Sequence, residues 1–504
     1  MRSRQGLALL PLLGAVILAA CSSSSSSTPP AVDAGSDAAL PPVDAAQPPD
    51  AAPPGDAGGV ATDPTPDDIS KGGSCPAPTG AGTKHEGTLT ADEIWTAAAS
   101  PHHVTFGLDV RATLTIEPCA VVLVDPGYTI TVGSNTDKGA LIARGTSQLV
   151  NGVLDVRPVR FDASDPTKKW GQLAVDPLGT VDLAVVGIQN SGAVSVGERG
   201  AFRVNGVAGG TNFGDVTRSA TLDKVLIEKS DTYGINLNAW GTFTAASRKV
   251  WVRGSGSAAY PYPVRLEAGI AGTLPKDIVL TGNLKDEIFI TSSKTFLRDD
   301  TFANYGVPYH ALGAIYVEPG GPNANARLTI DPGVTVAFED NGGSGITIGS
   351  SPTATGELVA VGTAASPILF TSAKATKAKG DWLSLYFHAT TQSGSKISFA
   401  KIEYAGAVGG TTGFGCGPSD NNGAIFIKGV GVSAAAPAPP FVDHTTFENI
   451  GGSTVIVSGW IDDAGPNLSG NNTFGAGTPA CHVSQPKRTG AGDRCDGGRN
   501  NCWP

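Results

Sequence analysis

Adjacent acidic pairs recur in this chain, among them Asp92–Glu93, Asp299–Asp300 and Asp462–Asp463. Hydrolysis of a glycosidic bond uses two carboxyl groups about 5 to 9 Å apart, so these pairs are the first chemistry to test. Neighbouring residues of a strand point to opposite faces, which separates Asp462 from Asp463 and, as a metal pair, His102 from His103. A turn or surface position is the better reading of Gly459–Asp463. No Gly-x-Ser-x-Gly elbow offers a serine nucleophile. The stretches "DNNG" (Asp420–Gly423) and "DRCDGG" (Asp493–Gly498) carry oxygen ligands without calcium-loop spacing, and Asp and Asn favour turns for their own reasons. No catalytic set, metal or cofactor is expected from these residues.

Trp240, Trp251, Tyr260 and Tyr262 are candidates of another kind, because aromatic rings can stack on sugar rings. In "YPYP" (Tyr260–Pro263) the prolines lack the N–H that an interior strand would use, so the two tyrosines belong to a loop. Such a loop either presents its rings to a glycan or folds them over the end of a core; both readings stand, and Trp460 shares them.

Whatever positions these residues is built of strands. Of 504 residues only 16% are charged, against about 25% in ordinary globular proteins. Good helix formers are sparse, while Val, Ile, Thr and Phe cluster in short runs bounded by Gly, Pro, Asn and Asp, the signature of many short strands. The formal charge of −10 is concentrated, since Asp33, Asp37, Asp44, Asp50, Asp56, Asp63, Asp67 and Asp68 oppose only Lys71 and supply −7 of it. The near-neutral remainder shows no basic stripe with interleaved aromatics, which argues against nucleic acid as a partner. No apolar run beyond residue 21 is long enough to span a bilayer.

The chain opens with a basic segment, "MRSRQ", then an apolar run from Gly6 to Ala20 and Cys21, the order of an export signal. "LAAC" (Leu18–Cys21) resembles the bacterial lipoprotein box, which implies diacylglycerol on the Cys21 thiol and a mature chain beginning there. The plainer alternative is an ordinary signal peptide ending beside a cysteine. "SSSSSSTPP" and the Pro, Ala and Asp tract after it are too poor in apolar residues to repay ordering, so a disordered tether is expected. Ser22 after the cysteine resembles the outer-membrane sorting pattern of Gram-negative lipoproteins, which implies a lipid-anchored address at the outer membrane or cell surface.

The folded part repeats itself. "LTIEPC" (Leu114–Cys119) returns as "LTIDPG" (Leu328–Gly333), "ITVG" (Ile130–Gly133) as "ITIG" (Ile346–Gly349), "GALIARGT" (Gly139–Thr146) as "GELVAVGT" (Gly356–Thr363), and Trp170 as Trp382. Upstream, "DEIWTAAASPHH" (Asp92–His103) lies against "DDTFANYGVPYH" (Asp299–His310). Apolar positions alternate within each copy, as half-buried strands require. Regularly spaced short strands without helical crossovers fit a solenoid whose coils bury their inner faces only by stacking; a jelly roll or propeller accounts for the repeat less well. A residue present in both copies is specified by the fold, which discounts Trp170, Trp95 and His103, with their counterparts Trp382, Phe302 and His310, as active-site groups, and the acidic pair at 299–300 with its match at 92–93. "TADE" (Thr90–Glu93) fits a helix capping box whereas its repeat partner reads as strand.

"LTIDPGVTVAF", "GELVAVGTAASPILFTSA" and "GDWLSLYF" resemble the right-handed parallel β-helix repeats of bacterial surface lipoproteins over roughly residues 88 to 475. The resemblance implies all-β coils of about 20 to 25 residues stacked about 4.8 Å apart. Related β-helices include pectin-degrading lyases and hydrolases. "NTD" (Asn135–Asp137) resembles the first polygalacturonase motif, but no G-H-G or R-I-K follows; "GWIDD" resembles a pectate-lyase strand without its histidine.

The remaining cysteines, Cys75, Cys119, Cys416, Cys481, Cys495 and Cys502, are even in number, so disulfides are expected in an exported chain. Cys75 lies where the tether ends and Cys119 replaces a turn glycine, so these two are expected to pair over the open end of the helix. The last four allow three pairings, and no paired C-x-x-C motifs favour zinc. The resulting plan is a signal peptide over 1–20, a tether over 21–73, a β-helix over 74–480 with copies at about 92–190 and 299–405, and a cysteine-containing tail over 481–504. Its expected function is structural or adhesive, binding envelope or extracellular polysaccharide or a surface protein; an anchored polysaccharide lyase or glycoside hydrolase is the alternative. Metabolic labelling with a palmitate analogue is expected to mark the full chain and not Cys21→Ser; a C21S chain that still partitions into detergent would overturn the anchor.

Overall fold

In this computed structural model the described residues are 63–195, 199–206, 218–291, 296, 299–319, 325–339, 343–349, 355–388, 393–408, 422–427, 441–458, 468, 470–485 and 501–503, all within one compact unit. Cys21 and the signal and tether residues up to 62 lie outside them, as do Cys416, Cys495, Trp460, Asp462 and Asp463.

Alternating strands of two to eleven residues bury one face by stacking, and they form a parallel β-helix with three walls. In the first copy, wall one stacks Glu93–Trp95, Thr113–Ile116, Gly139–Arg144 and the starts of Gly179–Gln189 and Arg218–Glu228. Wall two begins with the start of Thr83–Leu89 and of His102–Val110. It continues through Val121–Val124, Val159–Ala163, the ends of the two long strands, and Arg248–Arg253. Wall three runs from the end of His102–Val110 through Ile130–Val132, Leu173–Val175, Phe202–Asn205 and Ile235–Asn238 to Val264–Glu267. Between the walls, Leu114, Val122, Ile130, Leu141, Phe161, Leu173 and their successors fill one continuous core.

The second copy repeats this coil for coil. Its wall one is Asp300–Phe302, Asn325–Ile330, Thr355–Val361 and Lys396–Ser398; its wall two is Tyr309–Ala311, Thr335–Phe338, Ile368–Ser372 and Ala400–Glu403; its wall three is Ala314–Val317, Gly345–Ile348 and Leu385–Phe387. Trp170 and Trp382 are both buried, and each donates its indole N–H to a carbonyl of its own copy, Gln189 O at 2.7 Å and Glu403 O at 2.9 Å. The capping-box ambiguity resolves as strand, because Glu93–Trp95 joins wall one and only a 3-10 turn, Ala97–Ala99, follows. Some coils keep the expected 20 to 25 residues, as where Glu93 pairs with Leu114 and Val264 with Ile288, steps of 21 and 24, and others are longer: Leu114 pairs with Leu141, and Leu141 with Val181, steps of 27 and 40. The excess lies in the connections, such as the hairpin formed by Thr146–Val150 and Val153–Arg157.

The copies do not join wall to wall. Ile288–Thr291 pairs with Val264–Glu267 on one side and Tyr309–Ala311 on the other, so wall three of the first copy becomes wall two of the second. Among the described residues the first copy's wall two ends at a bridge between Trp251 and Val279, and the second copy's wall three starts at a bridge between Phe296 and Pro319.

A strap crosses the outside of wall two. Residues 63–73, assigned from sequence to the tether, belong to the folded body. The single apolar Ile69 of helix Pro66–Lys71 packs with Val156, Val185 and Leu226, a signal too small for composition to register, and Thr65 and Asp68 form a capping box. Asp63 pairs with Lys224 at 3.1 Å and with Lys249, and Asp67 pairs with Arg253 at 2.9 Å. Ser70 donates to the buried Glu228 carboxylate at 2.6 Å. Burial pushes that carboxyl's pKa up, but hydrogen bonds from Ser70, Arg253 and Gln189 outweigh it and leave the pKa lowered. Farther on, Ser74 N–H donates to Val156 O at 2.7 Å.

Cys75 and Cys119 are disulfide-bonded, their Cα atoms 5.3 Å apart. The bond does not close the open end as expected; it fastens the strap at the turn between walls one and two, where the Cys75 disulfide sulfur lies 3.8 Å from Pro158 O. Cys119 has φ 68° where Gly333 has φ 80°, so the same left-handed turn holds a cysteine in one copy at a cost of about 1 to 2 kcal/mol. Cys481 is also disulfide-bonded. Its strand, Cys481–Gln485, extends wall three and pairs antiparallel with Asn501–Trp503, which carries Cys502. In the chain-entropy account a loop of 44 residues is worth about 4 kcal/mol. Cys75→Ser is therefore expected to raise amide exchange across residues 66–75 while leaving 335–372 unchanged; equal exchange in both segments would show that the strap holds without the bond.

Candidate functional site

The seam between the copies leaves wall one incomplete. Between Thr242–Phe243 and Asp300–Phe302 no wall-one strand lies among the described residues; the chain instead makes the 3-10 turn Ala271–Thr273. A cleft of about 610 Å³ opens there, lined by Phe243, Thr244, Ser247, Arg248, Thr273, Leu274, Pro275, Lys276, Asp277, Asp299 and Thr301. The turn exists because Asp300 replaces a strand partner: its carboxylate accepts from the N–H groups of Gly269, Ala271 and Gly272 at 3.1, 3.0 and 2.7 Å. Tyr305 donates its hydroxyl to Leu274 O at 3.1 Å; burial, with the charges of Asp300 and Asp331, pushes its pKa up.

The cleft carboxylates are held by main chain. Asp277 Oδ1 accepts the Lys249 N–H at 2.6 Å and Asp299 Oδ1 accepts the Arg327 N–H at 3.0 Å. Arg248 is committed to Asp223 through two bonds of 3.0 and 3.2 Å, whereas Lys276 is exposed and makes no ion pair with the described residues. This arrangement can offer fixed acceptors and an ammonium donor to a polar ligand.

The outer face of the wall that continues through the seam carries a second cluster. Tyr262 stacks on Phe289, with centroids 4.7 Å apart; Tyr233 stacks on Phe289 at 6.3 Å and meets Tyr260 edge-on at 5.7 Å. Arg199 lies over Tyr260 and Lys285 over Tyr262. Beside them His310 bridges two carboxylates, Nδ1 to Glu287 and Nε2 to Glu339, both at 2.8 Å. Ionised carboxylates only accept and a neutral imidazole has one N–H, so holding both bonds takes an imidazolium or a protonated glutamate. The hydrogen bond with His310 is the largest influence on Glu287 and lowers its pKa against the opposing effect of burial. Burial raises the pKa of Tyr262 and of Tyr233.

The aromatic candidates thus part company. Tyr260 and Tyr262 stand together in this cluster, Tyr260 half-buried and Tyr262 buried. Trp251 packs against the Ile69 group beneath the strap, and Trp240 packs against the main core at the other end of Ile235–Asn238. His102 and His103 do face apart. His102 is buried, its ring stacked on Trp95 at 4.9 Å and its Nε2 3.0 Å from Thr96 O, so that Nδ1 accepts from His85 Nε2 at 3.1 Å. Burial lowers the pKa of both His85 and His102. Among the described residues no group of three or more His, Cys, Asp or Glu could hold a metal ion.

Sequence reading missed the seam. Repeat matching set aside His310 and Asp300, although each meets partners its first-copy counterpart does not; it also set aside Asp299, whose main-chain bond repeats that of Asp92 with Thr113 but which borders the cleft, and passed over Glu287, Glu339, Arg248, Lys276 and Asp277. The available signal was the lapse of strand alternation at "AGTLPKD" (Ala271–Asp277), where Pro275 also forbids a ladder N–H. No protein family, curated protein or solved structure matches the chain.

Replacing His310 with Gln is expected to raise the Glu287 pKa, read by carboxyl 13C NMR. The depressed folded value means that Glu287 contributes stability above its unfolded pKa of about 4.3 and loses it as pH falls through the folded value. In H310Q that acid-side loss should shrink; an unmoved Glu287 titration would contradict the bridge.

Proposed function

We propose that this chain is a lipid-anchored β-helix protein of the bacterial outer membrane or cell surface that binds glycan without cleaving it, in a structural or adhesive role. The export signal, the "LAAC" box ending at Cys21 and the tether composition support the address. The observation that carries the binding reading is the cleft at the seam, the described place where a solenoid wall gives way to a polar concavity.

Its carboxylates support binding over hydrolysis. Both oxygens of Asp300 are taken by three main-chain N–H groups, and Asp277 and Asp299 are each pinned through one oxygen. A general acid must release and regain a proton at a positioned oxygen; oxygens fixed by main-chain donors instead make rigid acceptors for ligand hydroxyls. Such pre-ordering spares a ligand the cost of immobilising flexible side chains.

The test uses the full chain, because removing residues 1–73 would also strip the strap. Incubated with a panel of envelope and extracellular polysaccharides, the protein is expected to be retained on at least one and to generate no new reducing or unsaturated ends. Cleavage of any member would replace this reading with that of an anchored lyase or hydrolase, and retention on none would leave a protein partner in its place.

A further inference from the structure

We propose that the seam cleft takes a neutral, hydroxyl-rich saccharide and discriminates against uronic-acid polymers; this rests on the glycan-binding reading above. The uncommitted charges decide it. Arg248 is neutralised by Asp223, which leaves Lys276, Asp277 and Asp299 as the exposed charges of the lining, while the three donors on Asp300 are main-chain N–H groups without net charge. One cation against two exposed carboxylates makes the cleft acidic, so a uronate carboxylate entering it meets like charge, and Lys276 alone cannot offset both.

Vicinal hydroxyls suit the same groups. Each hydroxyl donates one hydrogen bond and accepts others, so neighbouring hydroxyls can donate to Asp277 and Asp299 while accepting from the Lys276 ammonium. Leu274 and Pro275 border the same cleft but are buried, so the polar groups are its recognition elements. The volume of about 610 Å³ falls within the usual range of about 300 to 1,000 Å³ for small-molecule sites. The cleft and the tyrosine cluster are separate features, since the tyrosines pack on the wall that passes through the seam and not on the interrupted one.

Affinity electrophoresis of the full chain through gels holding mixed-linkage glucan, galactomannan or polygalacturonate tests this. Retardation is expected on at least one neutral polymer and about tenfold less on polygalacturonate. Lys276→Ala and Asp277→Asn are each expected to weaken neutral binding by about tenfold or more, the loss of one charge-assisted hydrogen bond, and the double variant D277N/D299N is expected to narrow the discrimination against polygalacturonate. Preference for polygalacturonate, or neutral binding indifferent to all these variants, would overturn the assignment while leaving glycan binding in place. Retardation on no polymer would remove the glycan-binding reading itself, and the assignment with it.

Discussion

Every coil of this protein depends on its neighbours, because a three-walled coil has no way to bury its inner face or satisfy its strand edges except by stacking on the next. The row Leu114, Leu141, Val181 and Ala220 shows the rule: four residues far apart in sequence lie in register on one wall, and all are buried. Stability in such a stack is a sum of nearest-neighbour terms, so any place where a wall breaks is a weak point that other contacts must cover. The seam is such a place, and two devices lie beside it. Asp300 ties down the turn that replaces a strand, and the strap from Asp63 to Cys75 binds coils that would otherwise touch only their neighbours. The strap is the exception to nearest-neighbour order, since it joins Arg248–Arg253 to the turn at Cys119 across the coils between.

Much of the fold was legible because the pattern that specifies a coil is local. Alternation identified the strands, and the return of "LTIEPC" as "LTIDPG" matched wall to wall in the structure. The exchange of Gly333 for Cys119 pointed to the disulfide. What was not legible is what depends on long connections. Nothing in the repeat says that wall three of one copy becomes wall two of the next, since that follows from how many residues the connection between Val264–Glu267 and Ile288–Thr291 spends outside the strands. The strap was hidden for the opposite reason: one isoleucine and a handful of charges in an acidic, proline-rich segment look like solvated chain until the lysines and arginines of wall two stand opposite them.

The candidate site was less legible than the fold, for a related reason. Comparing the copies discounts residues the fold specifies, and Trp170 and Trp382 are buried with equivalent indole bonds in both copies. It fails where a repeated residue meets a neighbour that is not repeated. His310 occupies the register of His103, yet only His310 lies between two glutamates, because Glu287 comes from the seam connection, which has no first-copy equivalent. Asp299 and Asp277 acquire a shared setting in the same way. Chemistry in a repeat protein accumulates where repetition stops.

The central claim is that the interruption of wall one is the binding surface. Hydrogen–deuterium exchange of the full chain, with and without a retained neutral polysaccharide, tests it most directly. The account predicts protection at residues 271–277 and 299–301, with no change across Tyr260–Pro263. Protection at the tyrosine loop with none at the seam turn, under conditions where the polysaccharide is bound, would contradict it.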